Sequence, residues 1–128
     1  MRTIQWFIAV TFTVNGLLML AIPEIWYHTL PGVADTGPFN PHFVRDMGAA
    51  YLVCGGAFAW LMRDPARAWP TALGAAIFQL LHGGIHVAEV LFGVHSFAHL
   101  LIDAPAVLML PALAMWSAWP QSTGGHHA

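Results

Sequence analysis

Charged residues are scarce in this sequence. Its 128 residues include four basic and six acidic residues, and together these make up 8% of the chain. A soluble domain averages about 25% charged residues, so the composition excludes an ordinary water-exposed surface. The single cysteine, Cys54, excludes a framework of internal disulfides. The net charge of −2 and the pI of about 6.4 give no indication of a nucleic-acid partner.

Recognisable catalytic motifs are also missing. The sequence has no glycine-rich phosphate loop, no nucleophile motif and no internal repeat. An enzymatic activity therefore ranks third among the candidate functions, because no catalytic group or substrate pocket can be argued from the residues.

Long apolar runs dominate instead. Hydrophobic residues make up 58% of the chain, and they concentrate in residues 4–22, 44–62, 71–92 and 97–118. Each run is close to the roughly 20 residues that a helix needs to cross a bilayer. We therefore predict an all-α protein, an integral membrane antiparallel four-helix bundle that forms one transmembrane domain over residues 1–128. Residues 19–23 offer no small-x-small cleavage site, so we expect the first helix to be retained.

Arginine and tryptophan are distributed unevenly between the two predicted ends. Arg2, Arg63 and Arg67 fall at one end, which predicts that this end and both termini are cytoplasmic in a bacterial inner membrane. Five tryptophans predict an interfacial belt at the same end: Trp6, Trp60, Trp69, Trp116 and Trp119. The polar tail, residues 121–128, includes His126 and His127, to which we assign no role.

One polar stretch interrupts the apolar runs. Residues 79–103 contain four histidines and two acids, namely His82, His86, Glu89, His95, His99 and Asp103. Helical spacing groups them into two stripes, one on each of the last two helices. A hairpin about Gly93 would bring His86 level with Asp103 and Glu89 level with His99. Ionisable groups inside a membrane segment suggest a functional site.

The second helix adds polar residues at the same depth. His42 and Asp46 share one of its faces and lie in reach of the stripes. Arg45 is expected to neutralise one of the acids, since a charge at this depth needs a partner. An Arg45–Asp46 structural pair is as well supported as a ligand role for Asp46.

A long loop (residues 24–41) precedes the second helix. Loops of this length are usually functional or disordered, and the aromatic content of this one argues against disorder. We expect it to cover the outer end of the bundle as a lid. Thr11 and Asn15 share a face of the first helix and are predicted to hydrogen-bond to neighbouring helices.

Three interpretations of the polar stripes compete. Imidazole and carboxylate together suit Zn, Fe and Mn, and imidazole also suits Cu, which favours a transition-metal site. Haem held by two histidines is a weaker alternative, because adjacent hairpin helices leave little room for a porphyrin. The third is a hydrogen-bonded polar network or proton path without a cofactor.

The block Thr-Gly-Pro-Phe-Asn-Pro-His-Phe-Val-Arg-Asp at residues 36–46 resembles one found in bacterial membrane proteins. The four-helix layout resembles the small inner-membrane proteins of the DoxX-like type. The resemblance covers the whole chain in layout but only this block in motif. It implies the fold and carries no activity.

The sequence therefore predicts a small membrane protein that binds a transition-metal ion, Zn, Cu or Fe, at the periplasmic end of the bundle. The candidate ligands are His86, Glu89, His99 and Asp103, with His95, His42 and Asp46 in reach and His82 deeper. The alternative is an accessory or assembly subunit of a larger membrane complex, in which these groups form a network or contact a membrane-protein partner or a second copy.

Overall fold

The computed structural model describes residues 1–120, and every regular element within this range is helical. The helices are α1 (Arg2–Ala21), α2 (Pro23–Thr29), α3 (Pro41–Arg63), α4 (Pro65–Leu91) and α5 (Phe97–Ala118), with a short 3-10 helix, Val33–Thr36, between α2 and α3. The predicted all-α class is therefore confirmed. His126 and His127 lie outside the described residues.

Three of these helices, α1, α4 and α5, are long and apolar enough to cross a membrane. The helix α3 has sufficient length, at 23 residues. Its mean hydropathy is lower because Arg45 and Asp46 occupy its first two turns.

Side-chain caps define where the later helices begin. The side chain of Asn40 accepts hydrogen bonds from the first amides of α3, and that of Asp64 accepts one from Arg67 of α4. Such caps satisfy amides that have no partner within the helix. Because Asp64 and Pro65 together form a helix start, α4 begins six residues before its predicted start at residue 71.

The four long helices contact one another in a ring. The helix α1 packs against α3, α3 against α4, and the C-terminal half of α5 against both α4 and α1. Phe12 and Phe58 meet edge to face at the α1–α3 contact, and both are fully buried. The helix α4 contributes small buried residues to the same core, Ala68, Ala72 and Ala76. Small side chains allow neighbouring helices to approach closely, which improves the van der Waals packing between them.

Two long-range hydrogen bonds define one end of this ring. The guanidinium of Arg2 donates to the carbonyl oxygen of Met62 at 3.3 Å, and the amide of Gln5 donates to that of Ser117 at 3.0 Å. The start of α1 therefore lies beside the ends of α3 and α5. The long loop and the turn between α4 and α5 lie at the opposite end, where the polar residues collect.

Candidate metal site

The turn between α4 and α5 orients the first residues of α5. Gly93 has a φ of +73°, a left-handed conformation that glycine adopts without strain. The hydroxyl of Ser96 then caps α5 by accepting a hydrogen bond from the backbone amide of His99 at 3.2 Å. This cap begins the helix three residues before His99, so that the imidazole lies on the side facing α4.

Gly83 permits a close approach of α4 to α5. A Cβ at this position would overlap the backbone carbonyl oxygen of Val107. Val107 belongs to a π-helical segment of α5, Pro105–Met109. Pro105 has no N–H to donate to the carbonyl oxygen of Leu101, and the backbone amide of Leu110 donates to the carbonyl oxygen of Pro105, five residues back. Wider turns of this kind occur frequently at functional sites.

Three side chains meet one turn beyond this contact, and we name them the His–Asp cluster (His86, His99 and Asp103). Nδ1 of His86 lies 3.0 Å from Oδ2 of Asp103, and Nε2 of His99 lies 3.1 Å from the same oxygen. One potential ligand atom from each residue lies within 4.8 Å of the other two. The side chains are 13%, 10% and 8% exposed for His86, His99 and Asp103, respectively. The predicted proximity of His86 and Asp103 is confirmed.

The Nε2 atom of His99 is the unusual member of the cluster. It is buried and makes no hydrogen bond with any group in residues 1–120, because its contact with Asp103 lacks hydrogen-bond geometry. Its other nitrogen, Nδ1, faces Oδ2 of Asp35 at 3.7 Å. A histidine that binds a metal commonly directs its second nitrogen towards a carboxylate. His99 therefore has the arrangement of a ligand with one nitrogen available.

The remaining polar residues of the two stripes surround the cluster. The ring of His82 meets that of His86 edge to face at 5.1 Å, and the ring of His95 stacks on that of His99 at 4.4 Å. Glu89 lies 3.8 Å from Nε2 of His95. The sequence predicts that Glu89 lies beside His99, but Glu89 pairs with His95 instead. The tight turn brings His95 back beside the end of α4.

His42 and Asp46 lie apart from the His–Asp cluster. They form their own pair at 3.4 Å, with side chains 87% and 63% exposed. Arg45 donates to the carbonyl oxygen of Leu20 at 3.4 Å. This contact connects α3 to α1 and differs from the predicted Arg45–Asp46 pair.

The long loop folds against the cluster. Nε1 of Trp26 donates to the side chain of Asn15 at 2.8 Å, which fixes α2 to α1 and realises a hydrogen-bonding role for Asn15. Gly32 has a φ of +83°, and a Cβ there would overlap the carboxylate of Asp103. Asp35 approaches His99 from the same loop. Residue spacing contains no signal for Asp35, because its position depends on the path of the loop.

Comparisons with protein families, with curated proteins and with solved structures find no match to this chain.

Proposed function

We propose that this protein is a polytopic membrane protein that binds one transition-metal ion through His86, His99 and Asp103. The observation that carries the proposal is the convergence of two imidazoles on one buried carboxylate, with Nε2 of His99 left without a hydrogen bond among the described residues. A buried polar atom without a partner is costly. A cation at this point would take up that lone pair.

The donor set suits zinc or ferrous iron. Zn²⁺ binds imidazole and carboxylate ligands at about 2.0–2.2 Å, so two ligands of a tetrahedral ion lie about 3.4 Å apart. The nitrogen–oxygen distances of 3.0 and 3.1 Å are a few tenths of an ångström shorter. Small outward movements of the side chains would admit the ion. Two histidines and one carboxylate also form the ligand set of many non-haem iron sites, which keep coordination positions open.

Glu89 and His95 offer a route to the cluster. Glu89 is only half-buried, it lies beside His95, and the ring of His95 stacks on that of His99. A cation arriving from the outer end would meet a carboxylate and then an imidazole before it reached Asp103. This arrangement supports the function predicted from the sequence, in which the protein holds an ion taken from the outer side or hands it on.

The membrane location extends to all four long helices in this proposal. Large apolar side chains are exposed in the middle of each of them: Val14, Val53, Leu81 and Met109. A lipid environment removes the cost of that exposure. We assign α3 to the membrane with its neighbours because Arg45 and Asp46 lie at its outer end. The DoxX-like layout, the bacterial inner membrane and cytoplasmic termini belong to the same proposal.

A metal analysis tests the proposed function. Protein purified in detergent should retain a single ion per chain after incubation with Zn²⁺, Cu²⁺ or Fe²⁺ and removal of the unbound metal, as measured by mass spectrometry of the elements. His86→Ala and His99→Ala should each abolish retention. His42→Ala is the matched control, because this histidine is exposed and lies outside the His–Asp cluster. Failure of all three metals to bind the unaltered protein would refute the proposal.

A second function is supported by the contact between His86 and Asp103. At 3.0 Å this pair can satisfy itself as a hydrogen bond without any ion. The protein would then be an accessory or assembly subunit whose polar network stabilises the bundle or relays protons. In that case no metal would co-purify, and His86→Ala would lower the melting temperature by leaving Asp103 unpaired.

The orientation requires its own test. A reporter fused after residue 128 should behave as cytoplasmic, and one inserted near Asp35 should behave as periplasmic. The opposite pattern would contradict the orientation and move the His–Asp cluster to the cytoplasmic side.

A further inference from the structure

A cavity of about 630 Å³ lies between α1, the long loop, α3 and the facing sides of α4 and α5. Pockets that hold small molecules usually measure about 300–1,000 Å³. Its walls are mostly apolar, with Phe12, Met19, Met47 and Leu110 among the lining residues. His86 and Asp103 form part of one wall, so the cavity adjoins the His–Asp cluster.

Polar side chains in the cavity wall are free to bind a ligand. Three of the lining residues make no side-chain hydrogen bond to another group within residues 1–120, namely Thr11, Tyr51 and His82, and of these Tyr51 and His82 are the larger. A hydroxyl and an imidazole offer donors and acceptors. In an apolar environment such groups gain by pairing, and a molecule in the cavity can supply the partner.

Three large apolar side chains lie at the rim of the cavity, together with the exposed Thr36 and Asn40 of the long loop. Leu30, Phe43 and Ile102 line it and are also 39%, 62% and 56% exposed on the outer surface of the protein. Apolar side chains at the opening favour a ligand that enters from lipid over one that enters from water. The lining residues include no lysine or arginine, and the one carboxylate among them, Asp103, lies against two histidines. The wall therefore holds no permanently charged cation that would compensate the charge of an anion, and the lining favours a neutral ligand.

We propose that this cavity binds a neutral, mostly apolar molecule that carries a hydroxyl or carbonyl group and enters from the bilayer. Its polar group hydrogen-bonds to Tyr51 and His82, and its apolar part fills the space towards Phe12 and Leu110. A hydrocarbon chain would fill the same space but leave both polar side chains unpaired. The inference goes beyond the proposed metal site and does not require an ion, because that site consists of His86, His99 and Asp103 and includes neither Tyr51 nor His82.

Photolabelling with two matched probes tests this inference. One probe is decanol with a diazirine in its chain, and the other is the same chain without the hydroxyl. The full protein is placed in phosphatidylcholine nanodiscs after treatment with a chelator, and labelled residues are identified by peptide mass spectrometry. The alcohol should label cavity residues such as Met47 and Val107 about tenfold more than the hydrocarbon, as two ordinary hydrogen bonds would supply. Excess decanol should compete, and excess decane should not.

Variants that keep the shape of the wall identify the polar partners. Tyr51→Phe and His82→Phe retain a ring and remove the hydrogen-bonding groups, so together they should abolish the preference for the alcohol. Ala106→Phe, which adds a ring to a lining residue, should reduce labelling by both probes. Ala112→Phe is the control, because Ala112 is exposed on the same helix and does not line the cavity.

Three results would overturn the inference. Equal labelling of the unaltered protein by the two probes would mean that the cavity is filled by acyl chains without regard to a polar group. An unchanged preference in the folded double variant would exclude Tyr51 and His82 as partners. Labelling unaffected by Ala106→Phe would place the bound probe outside the cavity. Because the metal has been removed beforehand, none of these results depends on whether the His–Asp cluster binds an ion.

Discussion

Replacing Gly83 with alanine should push α4 away from α5 beside the His–Asp cluster. The added methyl would overlap the carbonyl oxygen of Val107, which belongs to the backbone and cannot rotate aside as a flexible side chain would. The helices must therefore separate locally. His86 lies one turn further along α4, so its 3.0 Å contact with Asp103 should lengthen as well.

The expected change in the free energy of unfolding combines two opposing contributions. Overpacking a tight contact costs about 1–3 kcal/mol, whereas replacing glycine with alanine inside a helix contributes about 0.5–1 kcal/mol of stability. Gly84 is the matched control, because a Cβ there would have no neighbouring atom within 4 Å. Gly84→Ala should therefore gain stability, and Gly83→Ala should lie about 1–3 kcal/mol below it.

Thermal unfolding in a mild detergent, followed by circular dichroism, measures this difference. The two variants should differ by a few degrees for each kcal/mol, with Gly83→Ala melting lower. The same protein samples can be titrated with Zn²⁺, and Gly83→Ala should bind the ion more weakly. Equal melting temperatures and equal affinities for the two variants would refute the close α4–α5 contact beside the His–Asp cluster.

Three further predictions concern the cluster and the loop above it. Asp103→Asn should weaken Zn²⁺ binding at least about 100-fold in calorimetric titration, since even partners that only orient a ligand are worth 10–100-fold; Asp46→Asn, at an exposed carboxylate, should bind as the unaltered protein does. Gly32→Ala should lower the free energy of unfolding by about 1–2 kcal/mol, because alanine resists a positive φ. The substitution should also speed hydrogen exchange in residues 26–39, and unchanged exchange would argue against a lid. Zn²⁺ affinity should fall as the pH is lowered, because protons compete for the nitrogens that bind metal; affinity that is flat between pH 5 and pH 8 would contradict histidine ligation.

The helical class and the contact between His86 and Asp103 could be predicted because both depend on regular helix geometry. Apolar runs indicate the helices, and a rise of about 1.5 Å per residue places side chains on neighbouring helices at comparable depths. The direction in which each side chain points is less predictable. Glu89 pairs with His95 and not with His99, because the rotation of α5 depends on Gly93 and on the Ser96 cap.

The internal structure of the long loop could not be predicted from the sequence. Its position over the polar end was predicted from its length and aromatic content, but α2 was not, and neither was the approach of Asp35 to His99. The path of the loop depends jointly on the left-handed Gly32, the Trp26–Asn15 hydrogen bond and the space available beside α5. The cavity is unpredictable for the same reason, since it depends on the separation of several helices.

X-ray absorption spectroscopy of the zinc-loaded protein tests directly whether His86, His99 and Asp103 bind the ion. The spectrum should show a first shell of nitrogen and oxygen atoms at about 2.0–2.1 Å, with the outer-shell scattering of two imidazoles, and the loss of one imidazole in His99→Ala. A spectrum without imidazole scattering, or one that is identical in the unaltered protein and in His99→Ala, would contradict binding by these residues.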